Sequence, residues 1–455
     1  MGLFETLKRA VATAETKPTP ELQPFIKPHS TPGANTPETK TSGIGHRILF
    51  VGGETGWYQG VQNEITTARP NWQSRQVETP ADGVSALASD HFHAVVLGTK
   101  AADDASLTQS IEKHSGHVLR VVLCEGDDRA GLTRWNKPGV TPLPKSTDAK
   151  SLVSNVSRAL RLQSWTTDAG LKKLLSSLRK LPAMPKLYSQ VTAELSSPNG
   201  SIEIVARFIA QDPVMTAKIL QLVNSAFFAL GREVSDPQEA VVFLGAERTR
   251  SLILLAGVFT QFDDVKCHGF SADAVWNHSL QVAAFARTIA MAELKNAKAA
   301  EAAYTAGLVH DMGKLILAAN VPTMCSSIDS IQHSKHLVQR DAELQVLGTT
   351  HAELAACLLG TWGLPLPVLE AVAWHHCPLK SDDSGFSLLT AVHVANVFAH
   401  ENENSPSANA PSEKLDHDYL IQVQLADRPN PWREACKLPV KPDEVVTPRL
   451  KTRLK

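Results

Sequence analysis

Three apolar runs of four or five residues lie in the first third of the chain: Arg47–Val51 (RILFV), Ala94–Leu97 (AVVL) and Leu119–Leu123 (LRVVL). Each is too short for a stable helix and is bounded by glycine or polar residues. Between them, Val61–Ala68 and Val84–Ala88 carry apolar positions at helical spacing. Short buried strands that alternate with helices require a parallel sheet covered on both faces.

After Leu171 the strand pattern largely disappears. LKKLLSSLRKLPAMPKLYSQVTAEL reads as helix, a break from Pro182 to Pro185, then helix again. Ile202–Phe208, Pro213–Val223, Pro237–Phe243, Ala246–Phe259, Ala272–Leu294, Ala299–Ala318, His336–Leu347, His351–Thr361, Pro365–His375 and Leu388–Phe398 continue with helical spacing. Asp212-Pro213 has the form of an N-cap followed by proline at the first helical position. The expectation is a multidomain chain, with an α/β domain over 46–163 ahead of an all-α domain over 168–436. Residues 1–45 hold a Pro-, Thr-, Ser- and Gly-rich stretch with almost nothing apolar to bury, which predicts a disordered linker. Residues 437–455 carry six Lys or Arg against two acids and form a basic tail.

With 45 Lys and Arg against 46 Asp and Glu, the 455-residue chain has no global charge footprint for nucleic acid or an acidic membrane. No apolar run approaches membrane-spanning length. The six scattered cysteines form no Cys-x-x-Cys and read as reduced buried thiols, which points to the cytoplasm.

The chemistry concentrates in Ala306–Leu315 (AGLVHDMGKL), where His310 and Asp311 stand side by side among apolar residues. Imidazole and carboxylate can share a divalent cation, and Gly313 offers a helix irregularity that would let adjacent residues do so. Taken alone, a His-Asp dipeptide more often makes a charge-assisted hydrogen bond in a core.

The layout of about 115 residues from His46 resembles a response-regulator receiver domain, which implies a flavodoxin-like fold. The resemblance places Gly52 and Gly53 where the family's acidic pair stands, Gly98 at the phosphoacceptor position and Lys145 at the fifth-strand lysine. Glycine offers no oxygen to phosphate or magnesium, so phosphorylation at the usual site is excluded under this alignment. The region is a pseudo-receiver by this reading, a module for protein contact or homodimerisation.

Residues from about Leu171 to His400 resemble the HDOD output domain, a relative of the HD and HD-GYP metal-dependent phosphohydrolases. The likeness rests on LPAMPKLYSQV, on the long segment from IVARFIAQDPVM to RSLIL, on WNHSL around His278 and on AGLVHDMGKL, all in family order. It implies a ligand set of His278, His310, Asp311, His351, His375 and His376, with Lys314 after the doublet. Asn396 occupies the place of the last aspartate, and Cys377-Pro378 replaces the Gly-Tyr-Pro region. With Asp311 the only carboxylate among the matched positions, a stable two-metal centre is disfavoured, whereas one divalent ion is compatible with the set. The functional expectation is a signal-transduction output protein, non-catalytic, acting on other signalling proteins. The alternative is a metal-dependent phosphohydrolase or cyclic-dinucleotide phosphodiesterase in which Lys314 contributes to catalysis.

Overall fold

The computed structural model describes residues 45–52, 55–114, 118–124, 140–165, 168–178, 180–197, 199–225, 232–262, 265, 267, 270–402 and 413–439. Most of the expected linker and tail, together with Gly53, lies outside these residues. The chain divides into two compact units, Met1–Ser177 with Leu359–Leu366, and Leu178–Leu358 with Pro367–Lys455.

The first unit contains a five-stranded parallel sheet in the order β2-β1-β3-β4-β5. Its strands are β1 (Arg47–Val51), β2 (Gln73–Val77), β3 (Ala94–Gly98), β4 (Leu119–Cys124) and β5 (Val140–Pro144). Because side chains alternate along a strand, each strand feeds two cores. Leu49, Val51, Val95, Leu97 and Val122 pack with Leu87, Leu107 and Ile111 on one face. Ile48, Phe50, Val96 and Val121 pack with Val61, Ile65, Leu152 and Val156 on the other. The sequence reading anticipated the three interior strands and missed both edges. QSRQV is polar because an edge strand is half exposed, and VTPLP carries two prolines, which an edge tolerates since it need not donate on both sides.

The second unit is helical. Asp212 caps the helix Pro213–Val223 by accepting from the Met215 N–H, with proline at the first position as expected. The long helix Ala272–Leu294, capped by Ser271, packs against Ala297–Val309 and Leu388–Asn402. Gly307 permits a close approach to the long helix: a side-chain carbon there would press on the Ala283 backbone.

Two expectations need correction, and one helix went unread. The stretch Ala299–Ala318 is two helices, Ala297–Val309 and Met312–Asn320, separated at His310 and Asp311. The irregularity is Asp311 itself, with φ −100° and ψ 6°. Gly313 lies within the second helix and serves a different need, because any side chain there would overlap the His351 carbonyl. In addition, Pro322–Lys335 is a helix that weak apolar spacing concealed. Among the described residues, no helix is long and apolar enough to cross a membrane.

Candidate metal centre

The break between two helices turns His310 and Asp311 inward, where both are buried. Other elements bring the remaining side chains to the same place. His278 comes from the long helix Ala272–Leu294, and His351 begins the helix His351–Thr361. His375 and His376 follow the helix Leu366–Trp374, and Asn396 lies on Leu388–Asn402. All seven positions singled out from sequence therefore converge in the helical unit.

Asp311 is the hub. Its Oδ1 lies 3.0 Å from His351 Nε2 and 3.8 Å from His375 Nε2. Its Oδ2 lies 2.7 Å from Lys314 Nζ, 3.4 Å from His310 Nε2 and 3.8 Å from His278 Nε2. Two overlapping groups have one potential ligand atom per residue within 4.8 Å of all the others. They are Asp311, His351, His375 and His376, and His278, His310 and Asp311.

Tautomers discriminate a ligand cluster from a core hydrogen-bond network. His310 donates Nδ1–H to the Gly307 carbonyl at 2.7 Å, and His375 donates Nδ1–H to the Val372 carbonyl at 2.6 Å. Each ring is left with a lone pair on Nε2, 3.4–3.8 Å from an Asp311 oxygen and without a hydrogen-bond partner. Buried polar atoms are normally paired, so two adjacent orphaned imidazole nitrogens are costly unless they serve a ligand. A backbone carbonyl holding Nδ1 while Nε2 stays open is also the arrangement found around metal-bound histidine. The donor set, several imidazoles and one carboxylate, suits a borderline divalent ion.

Two carboxylates escaped the sequence reading. Glu343, on the helix Gln339–Leu347, accepts from His351 Nδ1 at 2.7 Å and from the His351 backbone N–H at 2.8 Å. Glu413, ahead of the helix His417–Gln422, contacts His376 Nδ1 and accepts from Asn396 Nδ2 at 2.7 Å. Neither has a local signature, since each reaches the site through tertiary packing. His393 and His400 were missed as well. His400 stacks on His278 with centroids 4.4 Å apart, and His393 joins the His375 carbonyl to the Asp416 backbone N–H. Asp311 is the only carboxylate among the positions matched from sequence, and packing adds these two acids to it.

Burial opposes ionisation of Asp311, but His310, Lys314 and the His351 contact outweigh it and hold the carboxyl well below its usual range. Burial also disfavours charge on His351, yet Glu343 and Asp311 raise it to about 9. Burial keeps His310, His375 and His376 neutral, with neighbouring imidazoles reinforcing the effect. Glu343 and Glu413 are both lowered despite burial, through His351 and His376 respectively. Lys314 is raised by Asp311 against its own burial. Among these groups three carboxylates face two cations, Lys314 and protonated His351, leaving one net negative charge.

A cavity of about 310 Å³ is lined by Phe270, Val275 and Gln339 together with His278, Asp311, Lys314 and Glu343 of the centre. In the first unit, Gly52 follows β1 with φ 78°, Gly98 ends β3, and the Lys145 N–H bonds the Cys124 carbonyl beyond β5. These described positions all lie at carboxyl ends of strands, where parallel α/β sheets place their ligands.

A helical unit closed around a buried imidazole–carboxylate cluster defines the chain as one that carries a candidate metal-binding domain. More particularly, residues 181–378 match the family model of the HDOD domain. An uncharacterized protein of Treponema pallidum (strain Nichols) is 25% identical over 245 residues, 53% of this chain and 46% of that protein. The similarity therefore spans less than half the length of that relative. Among solved structures, an HDOD domain protein of unknown function from Geobacter sulfurreducens is 21% identical, with a TM-score of 0.48 over 63% of this chain and 92% of the other. A protein from Marinobacter aquaeolei VT8, named for signal transduction, is 17% identical with a TM-score of 0.47 and covers 76% of each chain.

Proposed function

We propose that this chain is a signal-transduction output protein whose HDOD domain holds one divalent metal ion at the Asp311 centre. The observation that carries the reading is the orphaned Nε2 of His375 lying 3.8 Å from the equally orphaned Oδ1 of Asp311, within one group of four potential ligands. Charge sets the number of ions. When one divalent ion replaces the proton of His351, the groups counted above go from one net negative charge to none. A second ion would leave two uncompensated positive charges in a buried site, which is prohibitive. Asp311, His351, His375 and His376 would hold the ion, and it would supply Lewis acidity toward a ligand in the adjoining cavity. Lys314 stays paired with Asp311 and presents the remaining ammonium donors to that ligand.

The strand order 2-1-3-4-5 of the first unit is that of flavodoxin-like folds. Together with glycine at positions 52, 53 and 98, it supports a receiver-like module that lacks phosphate chemistry and makes protein contacts, including contact with a second copy.

A second reading, metal-dependent phosphohydrolase, is favoured by one observation: Asp311 and Lys314 line a cavity, with the Lys314 ammonium available to a phosphate. Metal analysis of the purified protein beside Asp311→Asn, with nucleotide and cyclic-dinucleotide hydrolysis assayed on both, separates the two. About one ion per chain, lost in the variant and accompanied by no turnover, is the expected result. Turnover that the variant abolishes would establish the second reading. Metal-free protein throughout would overturn both.

A further inference from the structure

The carboxylate expected at position 396 is an amide, and a carboxylate from another part of the chain stands against it. Asn396 donates Nδ2–H to Glu413 Oε2 at 2.7 Å and turns its Oδ1 to His278 Nε2 at 2.8 Å. The other oxygen of Glu413 contacts His376 Nδ1. We propose that Glu413 completes the metal centre of this chain, supplying the negative charge that position 396 lacks and orienting His376 as a ligand. The inference rests on the metal-binding reading given above.

Three relationships support it. First, His351 and His376 face each other through their Nε2 atoms at 3.1 Å, and each has a carboxylate on its Nδ1, Glu343 for His351 and Glu413 for His376. The result is a carboxylate–imidazole–imidazole–carboxylate chain. Both rings belong to the group Asp311, His351, His375 and His376, so an ion entering that group would meet two imidazoles each held from behind by a carboxylate. Without an acceptor at Glu413, His376 has no reason to keep its proton on Nδ1. Glu413 is thus a positioning residue that acts through His376.

Second, the two positions are complementary. An aspartate at 396 would set two carboxylates at hydrogen-bond distance with no proton between them, which burial makes costly. The amide at 396 and the acid at 413 satisfy each other, so the negative charge has moved from one position to the other.

Third, the segment that bears Glu413 is fastened to the centre. His393 donates Nδ1–H to the His375 carbonyl and accepts the Asp416 backbone N–H at 3.0 Å on Nε2. Tyr419 joins Thr390 through their hydroxyls at 2.7 Å. The backbone of the ligand pair and that of the Glu413 segment are therefore tied to the same helix.

The test is titration of the metal-free, full-length protein with Mn2+, and in parallel with Zn2+, by calorimetry. Wild type, Glu413→Gln, Asn396→Asp and the double exchange are compared, and the unfolding temperature of each is measured with and without metal. Glu413→Gln is expected to weaken binding roughly 10- to 100-fold, the range for loss of an outer partner of a ligand, with the stoichiometry kept. The double exchange, which returns an acid to 396 and an amide to 413, should recover affinity to within about threefold; a merely structural role for Glu413 predicts no such recovery. Asn396→Asp keeps Glu413 and brings two acids together, so it should lower the metal-free unfolding temperature and enlarge the increase that metal produces. This arm decides the matter if Glu413→Gln does not fold, and an unenlarged increase then overturns the proposal. Wild-type affinity in Glu413→Gln, or a double exchange no better than the single, overturns this inference alone. A wild type that binds neither ion overturns the metal reading and this one with it.

Discussion

His310 Nε2 lies 3.4 Å from Asp311 Oδ2, yet the two atoms are not aligned to hydrogen-bond, although both residues are buried and adjacent in sequence. Replacing Asp311 by Asn should abolish metal binding. It should also cost the metal-free protein about 3–5 kcal/mol, because Lys314 and protonated His351 lose their common counter-charge inside the fold. Urea unfolding with and without chelator measures both effects, and a loss below about 1 kcal/mol would contradict the charge assignment.

Gly313→Ala separates helix propensity from packing. In an ordinary helix interior the exchange stabilises by about 1 kcal/mol. Here the added carbon would overlap the His351 carbonyl, so the expected outcome is a destabilisation of about 2–3 kcal/mol. Metal affinity should fall in parallel as His351 moves. A neutral or stabilising result in a denaturant series would show that the two helices can separate without cost.

The pH dependence follows from His351, whose pKa rises from the ordinary 6.5 to about 9 on folding. A raised pKa means that the folded state binds the proton more tightly. This contribution, roughly 3 kcal/mol, is complete below about 6.5 and is lost as pH climbs through about 9. The metal-free protein should lose stability over that window. Metal must displace the same proton, so its affinity should rise about tenfold per pH unit until it levels off near 9. Calorimetry in buffers of different ionisation enthalpy counts the released proton directly, and a count of zero would contradict the scheme.

In the α/β unit the sign is opposite. Burial and the neighbouring His93 lower His46 to about 4, and the two rings meet edge-on at 5.0 Å. A depressed histidine contributes stability that is present above about 6.5 and is lost as pH falls through about 4. With His46 only about half buried, solvent screening reduces this to the order of 1 kcal/mol. Hydrogen exchange at β1 and β2, corrected for the intrinsic pH dependence, should show declining protection with acidification. His46→Phe should flatten that decline.

Interior strands were legible because burial on both faces demands unbroken apolar runs, as in RILFV and LRVVL. The edge strands were not, since QSRQV and VTPLP obey the weaker rules of a half-exposed border. The helix break at His310 and Asp311 was hidden for a related reason. Apolar spacing continues across it, and only Asp311 departing from helical dihedrals reveals the turn.

The chain alone determined the succession of an α/β region and a helical region, and its resemblance to the HDOD domain implied most of the centre, from His278 to Asn396. It also determined that position 396 carries no charge. Tertiary structure decided what that absence means. Glu343 and Glu413 have no local pattern to announce them, yet packing sets one against His351 and the other against His376 and Asn396. Electrostatics depends on distance in space and on burial, neither of which separation along the sequence conveys.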